Sequence, residues 1–251
     1  MKLPLVLWPL MMSIFLLAGC DGSDADPLAG FPLGQDHVQG TPQPVPPDAN
    51  SPLPPADPSR PSSAKLGESC AGSGNLCLSI RTVIYKDEQG KPVVSETDTL
   101  ENLAQINRIW AQCSIAFEIG EYHPVDPRDF GLNFNTSTTA ELTGIRQTFG
   151  DPAMLVVVTT GAWAGTLGAG AANAWTMMPG GGDYGVVLES IVGTYPNIIA
   201  HELGHYLNLG HVSDTTDVMN AIIYQGSTSL TATQCSQARA AAAYYWKSMY
   251  R

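Results

Sequence analysis

The stretch His201 to His211, HELGHYLNLGH, gathers three of the chain's five histidines and sets a glutamate beside the first of them. His201 and His205 are four apart, so on a helix their side chains diverge by only about 40° and both rings can reach one ion. Glu202 stands one step round from His201. That offset keeps its carboxylate from ligating the ion, yet leaves it near enough to take a proton from a water held there. Continued helix would swing His211, six residues beyond His205, by about 240° to the wrong side. The chain must therefore turn between them. Asn208 and Gly210 suit a turn, because glycine accepts positive φ freely and asparagine more readily than most residues. Three neutral imidazoles and one water would complete the open tetrahedral site expected of catalytic zinc, which lowers the pKa of its water toward neutrality. The competing reading is a core helix that happens to be rich in histidine, since a bare HExxH arises by chance. The third histidine at the required offset, with turn-forming residues before it, argues for the metal.

These residues resemble the signature of the metzincin metallopeptidases, HExxHxxGxxH followed by a methionine-containing turn. The resemblance implies that His201, His205 and His211 ligate Zn2+ and that Glu202 acts as general base in peptide-bond hydrolysis. Asn208 stands where the signature has glycine, a replacement that asparagine's tolerance of the left-handed conformation accommodates. Met219, in TDVMNA, is similar to the methionine of the Met-turn that packs beneath the zinc. The same likeness implies that the glycine- and alanine-rich segment from Gly161 to Met178 supplies an edge strand above the cleft, to which an extended peptide adds as another strand. Leu167, Gly168 and Ala169 are the expected backbone contacts there, and Tyr224 an expected wall of the specificity pocket. The implied fold is α+β and zincin/metzincin-like: a mixed twisted sheet of about five strands, two long helices packed on it, the active-site helix, the Met-turn and a C-terminal helix.

The elements needed to position these residues are legible in the periodicities. Leu78 to Tyr85 is β-branched and roughly alternating, which predicts a strand. Leu100, Leu103, Ile106, Ile109 and Trp110 recur at three- and four-residue spacing and predict an amphipathic helix over Thr97 to Cys113. Ser114 to Glu121 alternates as a second strand, and a short helix is expected over Thr139 to Phe149. The unbroken apolar run AMLVVVTT, Ala153 to Thr160, suits a central strand buried on both faces, and Gly185 to Glu189 suits another. Pro196 to Leu209 reads as the helix carrying the histidines, with Thr194 as its cap. Thr231 and Gln234 have capping-box spacing and open a last helix to about Met249.

Residues 1–20 form an apolar leader too short for a bilayer span and suited to export. Its end, Leu17-Ala18-Gly19-Cys20, resembles the lipobox of bacterial lipoprotein signals, which implies cleavage before Cys20 and lipidation of its thiol. Residues 21–65 hold nine prolines between Pro42 and Pro61 and few large apolar side chains, which predicts a disordered tether. Within residues 21–65, FPLGQDH, Phe31 to His37, faintly resembles the acidic latency segments of astacin-like proenzymes, but the favoured reading is linker and no obvious propeptide is present; residues 66–251 remain as one catalytic domain. With Cys20 assigned to lipid, Cys70, Cys77, Cys113 and Cys235 form an even set for an oxidising compartment. Three pairings are open; the favoured one joins Cys70 to Cys77 and Cys113 to Cys235.

The net charge of −11, without a basic patch, excludes nucleic acid as the expected partner. The partners expected are a protein or peptide substrate and a membrane reached through the lipid on Cys20, with the domain acting as a monomer at the bacterial cell envelope or cell surface. One zinc is the expected cofactor. Asp183, Asp214 and Asp217 would be the place for a structural Ca2+, but they lack ligand spacing and read as solvated loop carboxylates. The main expectation is therefore a lipid-anchored, zinc-dependent endopeptidase. Its rival is a catalytically silent zinc-binding surface lipoprotein that holds a protein partner, against which an intact Glu202 argues.

Overall fold

The computed structural model describes residues 32–39, 64–169 and 172–251. The leader and Cys20 lie outside the described residues, as does most of the expected tether. In chain order the elements are β1 (Pro32–Gln39), β2 (Ala64–Leu66), β3 (Leu76–Tyr85), α1 (Glu96–Trp110), β4 (Ile115–Val125), α2 (Thr139–Phe149), β5 (Leu155–Thr159), α3 (Gly165–Ala169), β6 (Ala174–Met177), β7 (Gly185–Leu188), α4 (Pro196–Tyr206), β8 (Ile222–Tyr224) and α5 (Ala232–Tyr245). The strands lie in one mixed sheet in the order β2-β4-β3-β5-β7-β6-β1-β8. β4, β3, β5 and β7 run parallel, whereas β6 reverses against β7.

The apolar run of β5 is buried on both faces, as a central parallel strand requires. Leu155 and Val157 point into a core shared with Leu103, Ile106 and Trp110 of α1, Ile198, Ala200 and Leu203 of α4, and Ala238 and Ala242 of α5. Val156 and Val158 point the other way, onto Leu142, Ile145 and Phe149 of α2. The histidine-bearing helix is thus held against one sheet face by α1 and α5. Trp110 makes that contact specific, since its indole Nε1 donates to the carbonyl of Ala200 at 3.2 Å.

Local signals fix where the helices begin. Capping boxes open α1 at Ser95 and Asp98, α2 at Thr138 and Glu141, and α5 at Thr231 and Gln234. Each such cap contributes about 1 kcal/mol. α4 differs from expectation, because its N-cap is Tyr195, without a side-chain cap, rather than Thr194. Its first turn is secured from outside, where the Asn197 amide donates to the carbonyls of Gln225 at 2.9 Å and Ser227 at 3.2 Å. α4 also stops at Tyr206, short of Leu209, and α5 at Tyr245, where a separate 3-10 turn over Lys247–Met249 takes over.

Two stretches of the expected tether belong to the sheet. β1 lies between β6, to which it is parallel, and β8, to which it is antiparallel, and β2 pairs antiparallel with β4. With β8 they raise the expected five strands to eight. Composition hid them: β2 and β8 have three residues each, too few for a period to show, and proline-rich surroundings masked β1.

Both favoured disulfides are present. Cys70–Cys77 closes a loop of sequence separation 7, and Cys113–Cys235 spans a separation of 122 between the end of α1 and the start of α5. A cross-link constrains the unfolded chain more when the loop it closes is longer, so the two bridges should contribute unequally. Replacing Cys113 and Cys235 together by alanine is expected to cost about 3–5 kcal/mol in urea unfolding, against about 2 kcal/mol for the Cys70 and Cys77 pair. Equal losses would contradict that account.

Candidate metal centre

Among the described residues two groups of side chains are arranged to hold a metal ion, His201–His205–His211 and Cys70–Cys77–Glu118. The second has its two sulfurs joined in a disulfide and so offers no thiolate. The first is built from α4 and the turn after it. His201 and His205 sit one helical turn apart on α4 and are fully buried; His211, beyond the turn, is exposed.

The turn is a Schellman motif with asparagine in the left-handed position. Asn208 has φ 67°, its N–H donates to the carbonyl of His205 at 2.9 Å, and the N–H of Leu209 donates to the carbonyl of Gly204 at 2.9 Å. The Asn208 carbonyl is held in turn by the side-chain amide of Gln237 on α5, at 2.5 Å. Reversal at this point aims His211 back at the other two rings. The His205 and His211 Nε2 atoms stand 3.2 Å apart, and those of His201 and His205 2.9 Å apart.

The remaining ring nitrogens decide what these three can do. Nδ1–H of His201 donates to the carbonyl of Val218 at 2.5 Å, and Nδ1–H of His205 to that of Leu209 at 2.8 Å. A carbonyl only accepts, so each Nδ1 carries the proton and each Nε2 presents a lone pair. Lone pairs facing each other repel, and a cation between them reverses the sign. Zinc at its usual 2.0–2.1 Å from each nitrogen would set them about 3.3 Å apart, near the spacings found. The donor set, its tautomers and its spacing therefore fit zinc.

Met219 lies below α4, and the turn around it supplies the Val218 carbonyl that orients His201. Met219 is fully buried against Gly204, where a Cβ would stand 2.2 Å from its sulfur. Asp217 organises the turn by accepting from the Met219 N–H at 2.7 Å and from Gln234 of α5 at 3.1 Å. Read from sequence as a solvated loop carboxylate, Asp217 is buried, because a short turn leaves two donors there that need an acceptor. Asp214 does fit that description: exposed, it is held below the usual carboxylate range by donation from the backbone and hydroxyl of Thr216. Asp183 accepts from Gln147 at 2.8 Å. None of the three aspartates converges with another on a calcium site among the described residues.

Glu202 is fully buried and accepts a hydrogen bond from the Thr176 hydroxyl on β6. Thr176 thus orients the carboxylate, and its strand is clamped from the opposite sheet face by Arg146. That guanidinium donates to the carbonyls of Trp175 at 2.8 Å and Gly185 at 2.9 Å. Burial lowers the Arg146 pKa to about 10, with the charge of Glu202 opposing the shift.

The strand next to Glu202 is β6, Ala174–Met177, and not the part of the segment anticipated. Leu167, Gly168 and Ala169 form the short helix α3 instead, and Leu167 is buried in the core beneath α2. The glycines and alanines there allowed either structure. Tyr224 lies on β8, half-buried, at the far side of β1 from β6. Thr176, Asp217, Gln234 and Gln237 act through polar contacts with the site that no periodicity signals. Gly204 could have been noticed, since glycine inside a helix weakens it by roughly 1 kcal/mol and asks for a packing reason.

No protein-family model matches the chain, and no curated protein matches it. Among solved structures, metalloproteinase-II from Bacteroides fragilis is similar at TM-score 0.46 and 13% identity, over 86% of this chain and 58% of that one. Archaemetzincin from Methanopyrus kandleri is similar at TM-score 0.45 and 13% identity, over 68% of this chain and 97% of that one. A structure described as a chaperone-substrate complex is similar at TM-score 0.42 and 11% identity, over 70% of this chain and 35% of that one. The chain thus spans less than two thirds of the length of the first of these.

The packing of Met219 under α4 generates a test. Gly204→Ala gains helix propensity but forces a methyl group into the Met219 sulfur, and overpacking of a full core costs about 1–3 kcal/mol. Thermal unfolding of the metal-free protein is expected to shift several degrees downward. An unchanged or higher midpoint would show that the turn does not press on the helix.

Proposed function

We propose that the chain is a zinc-dependent endopeptidase, lipid-anchored at the cell envelope and acting as a monomer on protein or peptide substrates. One observation carries the reading: three imidazole Nε2 atoms converge, two of them with tautomers fixed by carbonyl acceptors, next to a buried glutamate that does not belong to the ligand set. A site meant only to bind zinc has no use for that glutamate.

The residues divide the work. His201, His205 and His211 would hold the ion and leave one position open. Bound there, zinc supplies a Lewis acid that polarises a carbonyl and acidifies water. Glu202 takes the proton from the attacking water and returns it to the departing amine nitrogen, so that no strongly basic amide anion has to leave. Thr176, by donating to one carboxylate oxygen, aims the other. The edge of β6 now paired with β1 would, once free, pair with the backbone of an extended substrate, which places the scissile bond beside Glu202 whatever the side-chain sequence.

Purified protein should carry one zinc per chain. Glu202→Gln is expected to keep that zinc while hydrolysis of a broad peptide library falls by 10²–10⁴-fold or more, the usual contribution of a general base. Stoichiometric zinc with no cleavage of any peptide by the wild-type protein, after removal of whatever covers β6, would instead favour the partner-binding reading.

The anchorage rests on the leader alone. Among the described residues no helix is long and apolar enough to cross a membrane, so the lipid on Cys20 would be what holds the chain there. Cys20→Ala is expected to move the protein from the membrane fraction to the soluble fraction; a wild-type protein that is already soluble would refute the anchor.

A further inference from the structure

A cavity away from the metal lies between the C-terminal ends of α2 and α5 and the loop that leads into β7. It holds about 530 Å3, within the roughly 300–1,000 Å3 of small-molecule pockets, and neither the three histidines nor Glu202 lines it. Arg146 reaches it from α2. Two nitrogens of that guanidinium, Nε and Nη2, donate to the carbonyls of Gly185 and Trp175. Nη1 is buried without a hydrogen-bond partner among the described residues, and the residue as a whole is 1% exposed. A buried charged donor left unmatched is destabilising, which favours a ligand that brings an acceptor.

The acceptors beside it are incomplete too. Gln147 donates to Oδ2 of Asp183 at 2.8 Å, which leaves Oδ1 of Asp183 and the side-chain carbonyl of Gln147 without a donor among the described residues. Much of the remaining wall is aromatic. Trp246, just after α5, has the rings of Tyr184 and Tyr206 edge-on at 4.8 Å and 4.9 Å and that of Tyr245 at 6.0 Å. Trp246 and Tyr206 are buried, whereas Tyr184 and Tyr245 are half-buried.

Charge selects among ligands. An anion drawn to Arg146 would also meet the carboxylates of Asp151 and Asp183, and a cation seated on the rings would meet the guanidinium. A neutral ring that carries hydroxyls meets no like charge. Each hydroxyl can accept from Arg146 or donate to Asp183, and the C–H groups between them can pack on aromatic faces, which carry partial negative charge. We infer that this cavity is a binding site for a saccharide unit, held between Arg146, Asp183 and the aromatic residues around Trp246. The site makes no use of zinc and stands whether or not the chain hydrolyses peptides.

Entry requires a movement, because Nη1 is covered in the free protein. The loop over residues 179–183 is built for one. Gly180 and Gly182 have φ of 85° and 122°, and a Cβ on Gly182 would meet nothing within 4 Å, so the loop is not packed down at that point. The Tyr184 hydroxyl accepts from the Gly180 N–H at 3.0 Å, which closes the loop on itself and lets it swing as one piece. That swing carries Asp183 and Tyr184 outward and uncovers the guanidinium.

The zinc-loaded chain from residue 21 onward is titrated separately with glucose, galactose, mannose and N-acetylglucosamine, and with phenylacetate and phenethylamine as anionic and cationic ring compounds. Binding is read by saturation-transfer NMR. At least one sugar should bind. Asp183→Asn should weaken it about tenfold, the loss of a hydrogen bond to a charged group, and Tyr184→Ala about fivefold, with zinc content unchanged. Arg146 is left intact because its other nitrogens hold β6. In the wild-type chain, hydrogen exchange at 179–184 should slow when the sugar is bound, a readout that holds even if a variant folds poorly. Absence of sugar binding, binding that neither substitution weakens, or slowing confined to other segments overturns the proposal. So does a charged ring compound that binds in the sugars' place and responds to the same substitutions.

Discussion

The hydrogen bonds from two histidine Nδ1–H groups to the carbonyls of Val218 and Leu209 are the constraint on which the centre depends. Without them the rings could rotate and exchange tautomers, and three nitrogens would converge only by accident. With them, lone pairs of His201 and His205 are directed before any ion arrives. The coordination geometry then costs little entropy at the moment of binding.

Both acceptors belong to turns, and each turn is held by α5. The Leu209 carbonyl emerges from the Schellman turn whose Asn208 is bound by Gln237; the Val218 carbonyl lies in the Met219 turn whose Asp217 is bound by Gln234. α5 makes these contacts from a fixed position, since Cys235 in its first turn is bonded to Cys113 beyond α1. α1 in turn binds α4 through Trp110. The path closes on itself: α4 carries the ligands, α1 locates α4, the disulfide ties α1 to α5, and α5 holds the turns that orient the ligands. The long-range disulfide therefore bears on metal geometry as well as on the entropy of the unfolded chain.

Sequence gave access to those parts of this arrangement that repeat or cluster. The stripe Leu103, Ile106, Trp110 announced α1, the apolar run around Val157 announced the doubly covered strand, and the spacing of His201, His205 and His211 required a turn at a residue able to take positive φ, which Asn208 does. Hidden from it were contacts made once each. Thr176 meets Glu202 only because β6 reverses against β7, a choice of direction that four residues do not encode by themselves. Leu167 to Ala169 could be read as strand because glycine and alanine impose no period; the apolar pocket under α2 takes Leu167 and so decides for a short helix. Pro32–Gln39 was read as linker rather than strand for a further reason, since a strand that borrows both neighbours from the folded domain needs little hydrophobic pattern of its own.

That last strand also resolves a conflict in the design of the sheet. An edge strand able to accept a peptide has unpaired backbone donors and acceptors, and the same edge accepts a second copy of the protein as readily as a substrate. Charges or prolines on the edge would prevent such pairing, but they would equally hinder substrate. β6, with the sequence Ala174-Trp175-Thr176-Met177, carries neither. In this fold a strand from the same chain, β1, pairs with that edge of β6 through Asp36 to Gln39 and satisfies its backbone groups without any charge or proline on β6 itself.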